Sequence, residues 1–347
     1  MDYEGHLERL LRVATCLAAC GYAAQVGALA GTARAFYDDA QVWGAQARHR
    51  GASGRTHLMH AAWSGNTARV QFLLARGVAV DARNVRGGTA LMAACHNGHL
   101  ETARYLVECG GASVNAAMID GVTALMAGCF YGHLEVVRFL VERGGASVNA
   151  GKTTDGATAF MSACSKGYLE IVRFLFERGG ANVNAATTTD GMTALILACE
   201  NGHLEIVRFL VERGGANVNA ARTTDGVTAL MNASYFSHLE IVSYLVEAGG
   251  ANVNAARTTD GYTALLFASQ NGHLGIARCL VERGGATVNA AATNNGFTAL
   301  LSASIHGHLT TVLFLLQHGA DKHALCHAGL TARALAARHP QVRAALA

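Results

Sequence analysis

Residues 202–220 read GHLEIVRFLVERGGANVNA, and near copies of this stretch recur along the chain. Each copy follows a short phrase such as TALM, which opens on a threonine. These threonines lie 33 to 35 residues apart, at Thr56, Thr89, Thr123, Thr158, Thr193, Thr228, Thr263, Thr298 and Thr331. A fixed period in this range is typical of a solenoid, in which small units stack on their neighbours and bury a shared core.

One unit can be interpreted residue by residue. Thr193 follows an Asp-Gly turn and is placed to cap a first helix over residues 194–201, which Gly202 ends. A second helix is predicted over residues 203–213, where a narrow charged stripe runs between apolar positions. Residues 216–226 then form an extended segment, which we call the finger, leading to the next turn. Each unit is therefore predicted to be a helix pair plus a finger.

The Thr-Ala-Leu phrase, the run AC-x-x-GHLEIVRFLVE and the finger G-A-x-V-N-A resemble the ankyrin repeat family. The resemblance covers residues 51–347. It implies an all-α solenoid of about eight helix-turn-helix repeats with short extended fingers, ended by a cap over residues 323–347. The chain departs from the family's Thr-Pro-Leu-His signature, because alanine replaces the proline and apolar residues such as Met92 and Ile196 replace the histidine.

Residues 1–50 do not repeat and are rich in alanine, which predicts a small helical segment that covers the first repeat. An alternative is that residues 10–43, which end in Asp39-x-x-Val42-Trp43, resemble part of an F-box. That resemblance implies a substrate receptor that docks on the adaptor of a cullin-type ubiquitin ligase.

Charge, apolar runs and cysteine content indicate which kinds of partner and which compartment to expect. The formal charge of +3 comes from 27 basic and 24 acidic residues mixed within every repeat, which argues against nucleic acid as a partner. No apolar run is long enough to predict membrane insertion, and the first residues lack a leader pattern. The nine cysteines show no disulfide pattern; they indicate a reducing intracellular setting, cytoplasmic or nuclear. We expect a monomer.

Catalysis is not predicted. Residues 146–153 loosely match a phosphate-binding loop around Lys152, but such a loop requires a strand before it and a helix after it. An enzyme that binds nucleotides there is the least favoured alternative. Histidines recur at one repeat position, at His99, His133, His203, His238, His273 and His308, with Thr67 and Tyr168 there in two other repeats. Stacked repeats hold equivalent residues about 8–10 Å apart, too far for one metal site. We expect these histidines to cap and bridge the helix turn, and we predict no cofactor, metal or catalytic residue.

Two repeat positions vary most within the chain, which indicates that the fold leaves them free. One follows the small residues of the first helix, and the other follows the turn glycine. The family resemblance implies that these positions line a concave groove and the finger bases that bind a protein partner, and aromatic residues there are suited to anchoring an interface. The predicted partner-binding residues are Trp63, His96, Asn97, Val122, Phe130, Tyr131, Ser165, Lys166, Met192, Glu200, Asn201, Val227, Tyr235, Phe236, Tyr262, Gln270, Asn271 and Phe297. The chain is thus predicted to be a non-catalytic protein-interaction scaffold.

Overall fold

A computed structural model describes residues 54–347, and the predictions for residues 1–50 lie outside this range. The described residues form an all-α fold of helix pairs, as predicted, and contain no strand, only isolated antiparallel bridges in the fingers. The α-helices are α1 (His57–Trp63), α2 (Thr67–Ala75), α3 (Ala90–His96), α4 (Leu100–Glu108), α5 (Ala124–Tyr131), α6 (Leu134–Glu142), α7 (Ala159–Lys166), α8 (Leu169–Glu177), α9 (Ala194–Glu200), α10 (Leu204–Glu212), α11 (Ala229–Tyr235), α12 (Leu239–Glu247), α13 (Ala264–Gln270), α14 (Leu274–Arg278), α15 (Ala299–Ile305), α16 (Leu309–Gln317), α17 (Ala332–Leu335) and α18 (Pro340–Ala345). A π-helical turn, Cys279–Arg283, continues α14, and a 3₁₀ turn, Ala336–Arg338, follows α17.

The first helix of every repeat begins at the predicted threonine. In α9, the Thr193 side-chain oxygen accepts a hydrogen bond from the Ile196 amide at 3.3 Å, and the other eight repeats do the same at 3.2–3.4 Å. Each of these bonds satisfies an amide that has no partner inside the helix, and each is worth about 1 kcal/mol. The cap prediction is confirmed.

The repeat histidines do not cap their own helices, so that part of the prediction is wrong. The second helix of the analysed unit begins at Leu204, one residue later than expected, and His203 makes no side-chain cap bond. Its Nε2 instead lies 3.0 Å from the Ser165 carbonyl oxygen of the preceding repeat. Because a carbonyl can only accept, this Nε2 carries the hydrogen and donates. The histidine therefore joins one repeat to the next.

Asparagines in the fingers form a second link between repeats. The Asn219 side-chain nitrogen donates to the Gly250 carbonyl at 3.1 Å, and the Asn219 side-chain oxygen accepts from the Asn252 main-chain amide at 2.7 Å. The same paired bonds are made by Asn115, Asn184, Asn254 and Asn289. Each asparagine satisfies a donor and an acceptor of the next finger, which fixes the spacing of the fingers.

The described residues divide into two compact units by their contacts. Of the described residues, the first unit contains 54–154 together with Arg173–Ala181, and the second contains Asp155–Val172 and Asn182–Ala347. Each unit has its own core of apolar residues from both helices of its repeats, such as Leu91 and Leu140 in the first and Leu195 and Leu245 in the second. None of the helices in residues 54–347 has the length and apolar character that crossing a membrane requires.

Candidate functional site

In the first unit, aromatic rings lie side by side at the end of the first helices. The Trp63 and His96 ring centroids are 4.5 Å apart, and those of His96 and Tyr131 are 3.8 Å apart. Phe130 meets Tyr131 edge to face at 5.0 Å. Trp63, Phe130 and Tyr131 are exposed over 37% to 43% of their surface. The structure thus brings together four residues that the sequence places in three successive repeats.

Polar contacts fix this aromatic cluster in place. The Asn97 side-chain nitrogen donates to the Trp63 carbonyl at 2.9 Å, and the Asn97 side-chain oxygen lies 3.0 Å from His96 Nδ1. The Arg55 guanidinium lies 4.8 Å from the centre of the Trp63 ring. Because each ring is held by a neighbour, a partner that binds here would order few side chains.

In the second unit, corresponding repeat positions surround a cavity of about 250 Å³. Tyr235 and Phe236 stand edge to face at 5.0 Å and are each exposed over about 45% of their surface. Tyr235 also meets Phe267 at 5.7 Å, and Phe267 meets Tyr262 at 5.4 Å. The cavity is lined by Glu200, Arg222, Val227, Met231, Asn232, Tyr235, Phe236, Arg257 and Phe267.

The two arginines of this cavity are each held by an aspartate of the same finger. Arg222 Nε donates to Asp225 Oδ1 at 3.0 Å, and Arg257 Nε donates to Asp260 Oδ1 at 2.8 Å. A second bond joins each guanidinium to the other carboxylate oxygen. The hydrogen bonds from the arginines lower the pKa of Asp225 and of Asp260 below the usual range. Both arginines therefore line the cavity as members of ion pairs.

Glu200 differs from these aspartates. It makes no ion pair within residues 54–347, and its Oε2 accepts a hydrogen bond from the Asn232 side chain at 3.2 Å. Asn232 is buried, with 8% of its surface exposed, so the carboxylate is held against the wall of the cavity. The charges of Asp190 and Glu200 also act on Arg222, so four carboxylates (Asp190, Asp225, Asp260 and Glu200) act on the two arginines of the cavity.

The other predicted residues are less closely grouped. In the second unit, the Asn201 side chain donates to its own helix at 2.8 Å and reaches the Ser165 hydroxyl at 3.4 Å, and Lys166 is exposed. Asn271 also bonds its own helix, and the Gln270 carbonyl accepts from His308. At the finger bases, the half-buried residues are Val122, Met192, Tyr262 and Phe297. Val227, at the same repeat position, is more buried, with 5% of its surface exposed, and it lines the cavity.

Sequence reasoning missed five residues of the cavity: Arg222, Met231, Asn232, Arg257 and Phe267. Two signals could have found most of them. The phrase ARTTDG occurs in two successive repeats, with an arginine three residues before an aspartate. A third variable position holds Ala93, Ala127, Ser162, Leu197, Asn232, Phe267 and Ser302, so the fold leaves it free as well.

The alternatives that involve chemistry gain no geometric support. The segment around Lys152 joins α6 to α7 without a strand, and α7 begins only at Ala159. No group of His, Cys, Asp or Glu side chains within residues 54–347 could hold a metal ion. Burial raises the pKa of the Cys95, Cys129 and Cys199 thiols, so these side chains act as small packing residues between helices.

These features define a class: helix-pair repeats that stack, with variable side chains grouped at the ends of the first helices. A family model described as "Ankyrin repeats (3 copies)" matches residues 21–118, 114–187, 180–257 and 250–326. The chain therefore belongs to the ankyrin repeat family, whose repeats are generally protein–protein interaction modules. The first match begins within the segment that we treated as non-repeating. No curated protein matches the chain.

Proposed function

We propose that this protein is a non-catalytic scaffold that binds a protein partner through the ends of its first helices and the bases of its fingers. One observation carries the proposal: in each unit, two exposed aromatic side chains at the variable positions contact each other, and one of them also contacts a ring of the neighbouring repeat. Scattered exposed apolar residues need no explanation, but a contiguous aromatic group with a polar rim is typical of an interaction site.

The energetics support the same conclusion. Tyrosine, tryptophan and phenylalanine give large contact areas and lose little rotamer freedom on binding. Truncating such an anchor usually costs about 2 kcal/mol or more of binding free energy, roughly a thirtyfold loss of affinity. The rings here are already packed against His96 and Arg55 in the first unit and against Phe267 in the second.

Peptide display on the immobilised full chain tests the proposal. We expect selected peptides to bind at least tenfold more weakly to Phe130→Ser/Tyr131→Ser or to Tyr235→Ser/Phe236→Ser. The matched control is Leu313→Ser, because Leu313 is equally exposed (43%) but lies on the second helix of its repeat. Far-ultraviolet circular dichroism should show unchanged helical content in all three variants. Peptides that bind both double variants as tightly as the parent protein would refute the assignment.

We also propose an intracellular, reducing location. Cys95, Cys129, Cys199 and Cys279 form no disulfide and are fully buried between helices. Cell fractionation with an antibody against the chain tests this proposal, and recovery of the chain from the secreted fraction would contradict it.

A further inference from the structure

The cavity of the second unit carries information about the chemistry of the partner. We call it the Glu200 cavity, defined by the nine lining residues given above. We propose that the Glu200 cavity binds an arginine side chain of the protein partner. This inference rests on the proposed function and goes beyond it, because it names the kind of side chain that the second unit recognises.

The balance of charge favours a cation. Asp225 and Asp260 each neutralise one arginine of the wall. Glu200 then remains as a carboxylate without an ion pair in the described part of the chain, and Asp190 adds a further negative charge beside Arg222. A partner carboxylate would have to compete with Asp225 and Asp260 for guanidinium donors that are already bonded. A partner cation meets an acceptor that is still available.

The walls favour a guanidinium among the cations. Arg257 already lies over the Phe267 ring, 4.9 Å from its centre, so an aromatic face in this cavity accepts a guanidinium. Tyr235 and Phe236 present two further rings at the mouth, and both are exposed. A planar guanidinium can stack on such a ring and donate two hydrogen bonds to one carboxylate, which the ammonium group of lysine cannot do.

Contacts with the next repeat fix the position of the Glu200 carboxylate, which is the proposed acceptor. Glu200 is the last residue of α9, and its carboxylate is held by the side chain of Asn232 in α11. The Glu200 carbonyl also accepts a hydrogen bond from His238 Nε2 at 3.1 Å. Because the next repeat holds both its main chain and its side chain, the carboxylate needs little ordering when a ligand arrives.

A methionine in the wall supplies a direct probe. Met231 lines the cavity, so its methyl carbon in the ¹³C-methionine-labelled full chain reports occupancy by NMR. Met231→Leu assigns the signal, and Met161, buried in the core of the same unit, serves as the internal reference. The ligands are the blocked tripeptides Gly-Arg-Gly, Gly-Lys-Gly and Gly-Glu-Gly.

We expect Gly-Arg-Gly to shift the Met231 signal saturably, Gly-Lys-Gly to bind more weakly, and Gly-Glu-Gly to leave the signal in place. Glu200→Gln should weaken binding of Gly-Arg-Gly roughly tenfold, since it removes the charge but keeps an acceptor for Asn232. Glu205→Gln, on the exposed side of the next helix, is the matched control and should bind as the parent does. Added salt should also weaken binding of Gly-Arg-Gly.

The outcomes separate this inference from the proposed function. A saturable shift with Gly-Glu-Gly that exceeds the shift with Gly-Arg-Gly would overturn the inference and leave the site as a partner surface that selects acidic segments. Equal binding of Gly-Arg-Gly to Glu200→Gln and to the parent would overturn it as well. Absence of any Met231 shift would also overturn it, while the peptide-display experiment would still decide the proposed function.

Discussion

The two units carry the same helices but present different surfaces. In the first unit, Trp63, His96 and Tyr131 stack across three repeats and form an aromatic platform. In the second unit, Glu200 occupies the repeat position that Trp63 and His96 hold in the first, and it lines a cavity of about 250 Å³ together with Tyr235 and two arginines of the fingers. The threonine caps are alike in both units, at 3.2–3.4 Å. The capped helix pairs are therefore alike in the two units, and the units differ in a few exposed side chains that could contact a partner.

The largest expected effect comes from removing the aromatic wall of the cavity. Phe267 is buried and contacts Tyr235, Tyr262 and Arg257. Phe267→Ala should lower the free energy of unfolding by about 3–5 kcal/mol, because it leaves a large void. Urea unfolding followed by circular dichroism measures this loss.

Phe267→Leu is the matched control for this change. It keeps most of the volume and should lose clearly less than Phe267→Ala. In the first unit, Ala93 occupies the repeat position of Phe267, so the aromatic cluster of that unit forms without a buried ring at this position. Equal stability of Phe267→Ala and the parent would show that the ring does not support the second unit.

A smaller effect concerns how the first helices end. In the first unit, the turn between the first and second helix of a repeat contains Gly65, Gly98 or Gly132, all with positive φ. The second unit contains one exception, Ser237, which has φ 67° and is the one non-glycine residue of residues 54–347 with positive φ. At Gly202, an added Cβ would lie 2.6 Å from the His238 ring of the next repeat.

Ser237 should therefore be strained, and the geometry agrees. The bond from His273 Nε2 to the Tyr235 carbonyl is 3.3 Å, the longest of the histidine links, which are 2.9–3.1 Å elsewhere. Ser237→Gly should stabilise the protein by about 1 kcal/mol, and Gly202→Ala should destabilise it by about 1–2 kcal/mol. Thermal or urea unfolding of the two variants measures both changes. A stabilising Gly202→Ala would contradict this account of the turn.

The helix pairs and their caps could be predicted from the sequence because they repeat. Threonine caps, helix order and the buried cysteine position recur in each copy, so one unit predicts the others. The histidine link was misjudged because a side chain at a helix start can bond either its own amides or a neighbouring repeat, and spacing does not distinguish the two. The Glu200 cavity was not predicted from the sequence. Its lining side chains come from three helices that are far apart in sequence, α9, α11 and α13, and from arginines in two fingers.

The smallest expected effect tests the arginine–aspartate pairs that distinguish the fingers of the second unit. At the position of Arg222 and Arg257, three residues before the turn aspartate, the first unit has Ala117 and Lys152, and it has Arg83 in a finger where Arg86 takes the place of the aspartate. Asn295 fills the aspartate position in a later finger, and its side chain accepts from the Phe297 amide at 2.9 Å, as Asp260 accepts from Tyr262 at 3.2 Å. Asp260→Asn therefore keeps the turn bond, removes the charge and replaces one of the two oxygens that accept from Arg257 with a donor.

The direction of the pH effect follows from the pKa of Asp260. The hydrogen bonds from Arg257 lower this pKa in the folded state, whereas the unfolded chain has the ordinary value of about 3.9. The stabilisation is thus complete above about pH 4 and is lost as the pH falls through the folded value. The stability advantage over Asp260→Asn should be under about 1 kcal/mol near neutral pH, because the pair is partly exposed, and should vanish in acid. In an Arg257→Gln background, Asp260→Asn should no longer change the acid dependence of urea unfolding. A pH-dependent difference that persisted there would mean that the charge of Asp260 acts on another group.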